Sequence, residues 1–134
     1  MQNSGNQYIN FKNSHLIISL ILVVPIAFVY GLFPAYVLPE IFDFNVDTID
    51  LTNIFRAIMI LYLGNSVIWF LGIINFKFWQ TSTIMNIVFM ASLTLGRTIS
   101  LIVDGIPSTV FVIGLIVEFA LAVFGIIQLK KNFI

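Results

Sequence analysis

Four long apolar runs, separated by short polar or proline-bearing stretches, set the pattern of this chain. The first runs from Leu16 to Phe33 without a charge. As a helix rising ~1.5 Å per residue it is about 27 Å long, close to the ~30 Å of a bilayer's hydrocarbon layer. Pro25 lies in the middle of it, where the missing N–H bends the helix. Three further runs cover about 51–74, 81–103 and 109–129, each of a spanning length. No A-x-A-like cleavage site follows the first run, so it is expected to remain as a span. The pattern predicts an all-α fold: a polytopic membrane protein, an antiparallel four-helix transmembrane bundle, with 1–134 as a single membrane domain.

The stretches between the runs carry the polar residues. Residues 1–14 are polar and rich in Asn, and read as a loose tail ending at the membrane surface. Residues 34–50 hold two prolines and the acids Glu40, Asp43, Asp47 and Asp50, and are expected to form the longest loop. Tyr36, Leu38, Ile41 and Phe42 within it suggest a segment lying on the membrane or folded over the bundle mouth. A connection N-F-K-F-W-Q (75–80) follows the second run, with Trp69 and Trp79 expected as interfacial anchors. Ser108, after Pro107, is a plausible N-cap for the fourth span.

Composition narrows the function classes. The chain is 60% hydrophobic and 9% charged, with a net charge of +0, so no basic field is available to attract nucleic acid. The absence of cysteine excludes disulfides, thiol redox chemistry and cysteine-ligated metal. The single histidine, His15, excludes a bis-histidine haem within one chain. Asp43-x-Asn45-x-Asp47 copies the start of a calcium loop, yet Thr48 replaces the turn glycine and Ile54 the bidentate glutamate. A solvated acidic loop, with Asp50 favouring the start of the next helix, is the expected reading. With no nucleophile–base pair, glycine-rich phosphate loop or metal-ligand spacing, neither cofactor nor metal is expected and the chemistry leans away from an enzyme.

Charge placement orients the spans. Lys12, Lys77, Lys130 and Lys131 all fall at the end that holds the termini and the second connection, while the other end carries only acids. The positive-inside bias then puts both termini in the cytoplasm, in a bacterial inner membrane.

That topology brings the intramembrane charges to similar depths. Counted from the outer ends, Arg56, Arg97 and Glu118 lie roughly 8, 10 and 15 Å deep, with Asp104 above them at a turn. Each would cost on the order of 2.5–3.5 kcal/mol if left unanswered in lipid. Asn86, Met90, Leu93, Arg97, Ser100 and Asp104 share a stripe on the third span. Ser92, Gly96 and Ser100 make a small-residue row beside it. The second span offers Asn53, Arg56, Ile60 and Gly64; the fourth offers Gly114, Glu118, Ala122 and Gly125. These faces predict a cluster of Asn53, Arg56, Arg97, Ser100, Asp104 and Glu118 inside the outer half of the bundle. Such a cluster either fixes helix register or binds a ligand, the arginines holding an anionic group and Glu118 serving as a proton carrier. His15 is expected at the cytoplasmic interface, Asn65 and Asn86 as interhelical glue, and Met59, Met85 and Met90 as packing.

Three segments carry a resemblance: N-I-F-R-A-I-M-I-L-Y-L-G-N-S-V-I-W-F-L-G (53–72), L-G-R-T-I-S-L-I-V-D-G-I-P-S (95–108) and G-L-I-V-E-F-A-L-A-V-F-G (114–125). They resemble a family of small four-helix bacterial membrane proteins described as a domain of unknown function, similar in build to DoxX-like proteins. Its pattern maps onto Asn53, Arg56, Gly96, Arg97, Ser100, Asp104, Gly105, Pro107 and Glu118, with Ile60 where the family often has glycine. The resemblance implies a fold and a polar centre, and no activity. The expected function is to bind a lipid, quinone or other amphipathic molecule at an outer-leaflet polar site, or to act as an accessory subunit beside partner membrane proteins or further copies of the chain. The alternative is a membrane-embedded enzyme or proton-coupled carrier using Glu118 and Asp104 with the arginines.

Overall fold

A computed structural model describes residues 11–133. A short 3-10 turn, Phe11–Asn13, leads into α1 (Ser14–Gly31), followed by α2 (Pro34–Ile41), α3 (Ile49–Ile74), α4 (Phe76–Val103) and α5 (Thr109–Asn132). Four helical segments, Phe11–Gly31, α3, α4 and α5, are long and apolar enough to cross a bilayer, which makes the chain an all-α, multi-pass integral membrane protein. The polar tail expected over 1–14 lies outside the described residues up to position 10, and its last residues form the 3-10 turn and the start of α1.

Helix ends follow local chemistry. Thr48 caps α3, its Oγ1 accepting from the Leu51 N–H at 3.1 Å. Asn75 is the one residue between α3 and α4, and its Oδ1 accepts from the Lys77 N–H at 3.1 Å. The six-residue connection expected there is therefore not a loop: a short polar side chain caps the new helix within one residue, and 76–80 join α4. Ser108 occupies the N-cap position of α5 without a side-chain bond. Gly105, at φ +106, supplies the left-handed turn between α4 and α5.

The expected loop over 34–50 contains α2. Pro34 sits at the helix start, where its missing N–H costs nothing and its fixed φ suits the first turn. Leu38, Phe42 and Val46 are buried, whereas Tyr36 stays exposed. The segment folds over the mouth of the bundle opposite the chain termini as an aromatic lid: Phe42 stacks on Phe111, Phe44 and Tyr30 with ring centroids 4.5, 5.7 and 6.2 Å apart.

Around the bundle α1 packs along α3, α3 along α4 and α4 along α5, while α1 and α5 meet only sparsely. Three seams are tight and the fourth is loose. The close approaches occur at Gly31 against Met59, Gly72 against Ser82 and Gly125 against Ile87. The small-residue positions expected to bring helices together, Gly64 and Gly96, have nothing near the place a Cβ would take. Trp69 and Trp79, expected as interfacial anchors, are buried inside the bundle instead. In the membrane phase apolar side chains gain by dispersion contact with one another, and large rings such as Trp69 and Trp79 offer broad surfaces for it.

Candidate functional site

Arg97 comes from the inward stripe of α4, one face shared with Asn86, Met90 and Leu93, and Glu118 from the inward face of α5 with Gly114 and Ala122. The antiparallel α4–α5 pair brings them level. Arg97 donates from Nε to Glu118 Oε2 at 2.8 Å and from Nη2 to Oε1 at 3.1 Å. The two side chains are 22% and 13% exposed, so the pair is largely withdrawn from its surroundings. The geometry is the planar two-bond fork that guanidinium and carboxylate form best. The Arg97 guanidinium also lies over the Phe111 ring, 5.2 Å from its centroid, a placement the ring quadrupole favours.

The pair forms part of the wall of a cavity of about 350 Å³. The phenols of Tyr30 on α1 and Tyr62 on α3 line it beside the pair, and both feel its charge. Most of the remaining lining is apolar. The exposed lining residues are Leu22 and Ile26 on α1, Ile41 at the end of α2, and Val110 and Ile113 on α5. The mouth is thus the loose α1–α5 seam, turned toward lipid and roofed by the aromatic lid. A second, shallower groove of about 300 Å³ runs along the outside of α4 and α5 past Gly96, Ser100 and Pro107, and Arg97 and Phe111 line both spaces.

The other expected members of the cluster lie apart. Asn53 and Arg56 are exposed on α3 together with Ile60 and Gly64. Those four do share a face, but it points away from the bundle. Among the described residues Arg56 has no hydrogen bond or ion pair. The rotation of α3 is set instead by Met59, Tyr62, Ser66 and Trp69, which pack inward. At about 10 Å from the start of α3, Arg56 is near enough to the interface for its long side chain to snorkel. Ser100 and Asp104 make a local pair at the exposed C-terminal end of α4, Ser100 Oγ donating to Asp104 Oδ2 at 2.8 Å. The centre therefore contains one arginine and one acid.

A second polar layer sits at the opposite end of the bundle, where the sequence predicts an interfacial His15, packing methionines, and Asn65 and Asn86 as interhelical glue. His15, Ser19, Ser82, Thr83, Asn86 and Gln128 are all at most 1% exposed. His15 Nε2 shares a hydrogen bond with Thr83 Oγ1 at 3.0 Å, and its ring meets Trp79 and Phe124 edge-on. Among the described residues neither end of the Asn86 amide has a partner, nor has Gln128 Nε2. Asn65, expected as interhelical glue, donates to the Leu61 carbonyl of its own helix. The sequence signal for this second layer is the recurrence of Thr83 and Asn86 on the stripe that leads to Arg97. Met90, Leu121 and Ala122, all buried, separate the two polar layers.

An unpartnered buried amide costs about 1–3 kcal/mol. Asn86→Ala, which removes the amide and leaves only a small gap, should therefore raise the thermal stability of the detergent-solubilised protein, by about 1 kcal/mol. A lowered melting temperature would show that the amide is engaged in the folded protein.

A family model with the description Domain of unknown function (DUF4345) matches residues 11–129. No curated protein and no solved structure matches the chain.

Proposed function

Because this chain belongs to the DUF4345 family, whose description assigns no activity, we propose from the geometry that it is a non-enzymatic binder of an amphipathic small molecule drawn from the membrane. One observation carries the reading: a single ion pair, Arg97–Glu118, set in the wall of a mostly apolar cavity whose mouth faces lipid between α1 and α5. Ligand sites have this composition, apolar surface for affinity and a few polar groups for orientation, and volumes of roughly 300–1,000 Å³. The aromatic lid closes the outer end, so the guest enters sideways.

The lysines at one end of the bundle and the acidic segments at the other support a cytoplasmic location for both termini, in a bacterial inner membrane. The cavity then opens to the outer leaflet. A carrier or enzyme that passes protons through Glu118 and Asp104 has less support. Asp104 is held by Ser100 at the far end of α4, and the Met90, Leu121 and Ala122 layer lies between Glu118 and the inner polar groups. An accessory-subunit role is favoured by the outward face of α3, where Arg56 and Asn53 sit beside the open Gly64.

The test is native mass spectrometry of protein extracted in mild detergent. Ile113→Trp fills the mouth; Ile116→Trp, on the same helix but away from the cavity, is its control. Wild type and the Ile116 variant should retain an adduct of lipid mass that the Ile113 variant loses, with all three melting alike. Adducts unchanged in all three, or absent from wild type, would remove the cavity from consideration. A protein-mass adduct lost on Arg56→Ala would favour the subunit role.

A further inference from the structure

The closed geometry of the ion pair restricts the chemistry of the guest, an inference that rests on the binding role proposed above. Arg97 commits Nε and Nη2 to the two oxygens of Glu118. Within the lining of the cavity Arg97 is the only lysine or arginine, Glu118 the only carboxylate, and their charges cancel. Arg56, which would be needed as a second cation, faces outward on α3. An anionic head entering the cavity would either displace Glu118, stranding a carboxylate among apolar side chains, or add a third, uncompensated charge to a neutral pair. A cationic head meets the mirror-image penalty at Arg97.

What the pair leaves over is hydrogen-bonding capacity without net charge. The N–H groups of Arg97 not engaged by Glu118 remain donors, shared with the neighbouring Tyr30 phenol, and the carboxylate oxygens retain acceptor positions. The phenols of Tyr30 and Tyr62 can serve in either sense. We infer that the cavity selects uncharged amphiphiles whose head is a hydroxyl, ester or carbonyl group, such as acylglycerols, long-chain alcohols or isoprenoid quinones, and excludes phosphorylated or carboxylate heads. The tail runs along Leu22, Ile26 and Ile113 toward the α1–α5 opening, which those residues line. The hydroxyl or carbonyl bonds to the pair without opening it.

Two probes that differ only in a phosphate group on the glycerol test this: 1-lauroylglycerol and 1-lauroylglycerol 3-phosphate, titrated against the full-length protein by native mass spectrometry. Wild type should bind the uncharged probe at least about tenfold more tightly. Glu118→Gln releases a cation into the cavity, so the phosphate should gain at least about tenfold relative to the glycerol. The charge-free double variant Arg97→Gln/Glu118→Gln should keep the wild-type order, and it carries the test should the single variant fail to fold. A wild type that prefers the phosphate, or a Glu118→Gln protein whose preference does not move, overturns the neutral-head assignment and leaves the binding role standing. Failure of wild type to bind either probe overturns both.

Discussion

Arg97→Leu should destabilise the folded protein by about 3 kcal/mol, the low end of the range for breaking a buried ion pair. The low end applies because both side chains retain some exposure, 22% and 13%. The cost does not come from losing an attraction alone. Glu118 would remain, facing Phe111, Val117 and Leu121 instead of a guanidinium. Protonation sets a ceiling on the penalty: keeping a carboxyl neutral at pH 7 against an ordinary value near 4.3 costs about 3.7 kcal/mol. The deficit should therefore shrink as pH falls through the ordinary carboxyl range, below which the lone acid is uncharged whether folded or unfolded. Removing both partners, in Arg97→Met/Glu118→Leu, should recover most of the loss, because well-packed apolar replacements of buried pairs are often neutral or better. Thermal melts of wild type, the single variant and the double variant in one detergent, at pH 7.0 and at about pH 4.5, decide it. A single variant that melts with wild type at neutral pH would mean that water reaches the pair freely, and the cavity would then not be the apolar chamber described.

The double variant also separates two roles that the sequence left open. A pair that only fixes helix register would be expendable in the double variant, with no change in what the cavity holds. If the pair is the polar anchor of a ligand site, the double variant is as stable as wild type yet loses affinity for the hydroxyl- or carbonyl-headed guest. Stability and binding thus report on different functions of the same two side chains.

The physics of the lipid phase explains which features were legible in the sequence. Spans announce themselves by length, since twenty or so apolar residues with almost no charge have no soluble explanation. The inward faces of α4 and α5 were legible because each carries one ionised group, and opposite charges at matched depth have strong reason to meet. The rotation of α3 was not. In water an apolar face is an inside face, but in lipid both faces are apolar, and Arg56 could be satisfied by snorkelling as well as by pairing. Packing of Tyr62 and Trp69 decided the matter, and ring packing leaves no period in a uniformly hydrophobic run. His15 was misplaced for a related reason: its position in the chain is at the boundary, but Thr83, Trp79 and Phe124 close around it. The prolines of 34–50 read as breakers, although Pro34 begins a helix. Glycine and serine rows such as Ser92, Gly96 and Ser100 were equally ambiguous, because the same small residues suit a helix contact within the bundle or an open outer groove.

The contrast among the glycines yields the second large effect. Gly72→Val should destabilise by about 3 kcal/mol, the upper part of the range for overpacking, whereas Gly64→Ala and Gly96→Ala should be neutral or mildly stabilising. A Cβ at position 72 would overlap the Ser82 side chain, with a Leu16 methyl only 3.4 Å away. Ser82 cannot easily yield: it is fully buried and donates to the Ile68 carbonyl of the facing helix at 2.6 Å. Relief would require α3 and α4 to separate at the ends joined by the one-residue junction at Asn75. At positions 64 and 96 no atom stands within 4 Å of the added methyl, and alanine is the better helix former by about 1 kcal/mol. Melting temperatures of the three variants should therefore split, one falling by several degrees and two holding or rising. If Gly72→Val melts with the other two, the α3–α4 seam is not tight. The α1–α5 gap would then lose its standing as the loose seam of the bundle, and with it the case for a guest entering between those two helices.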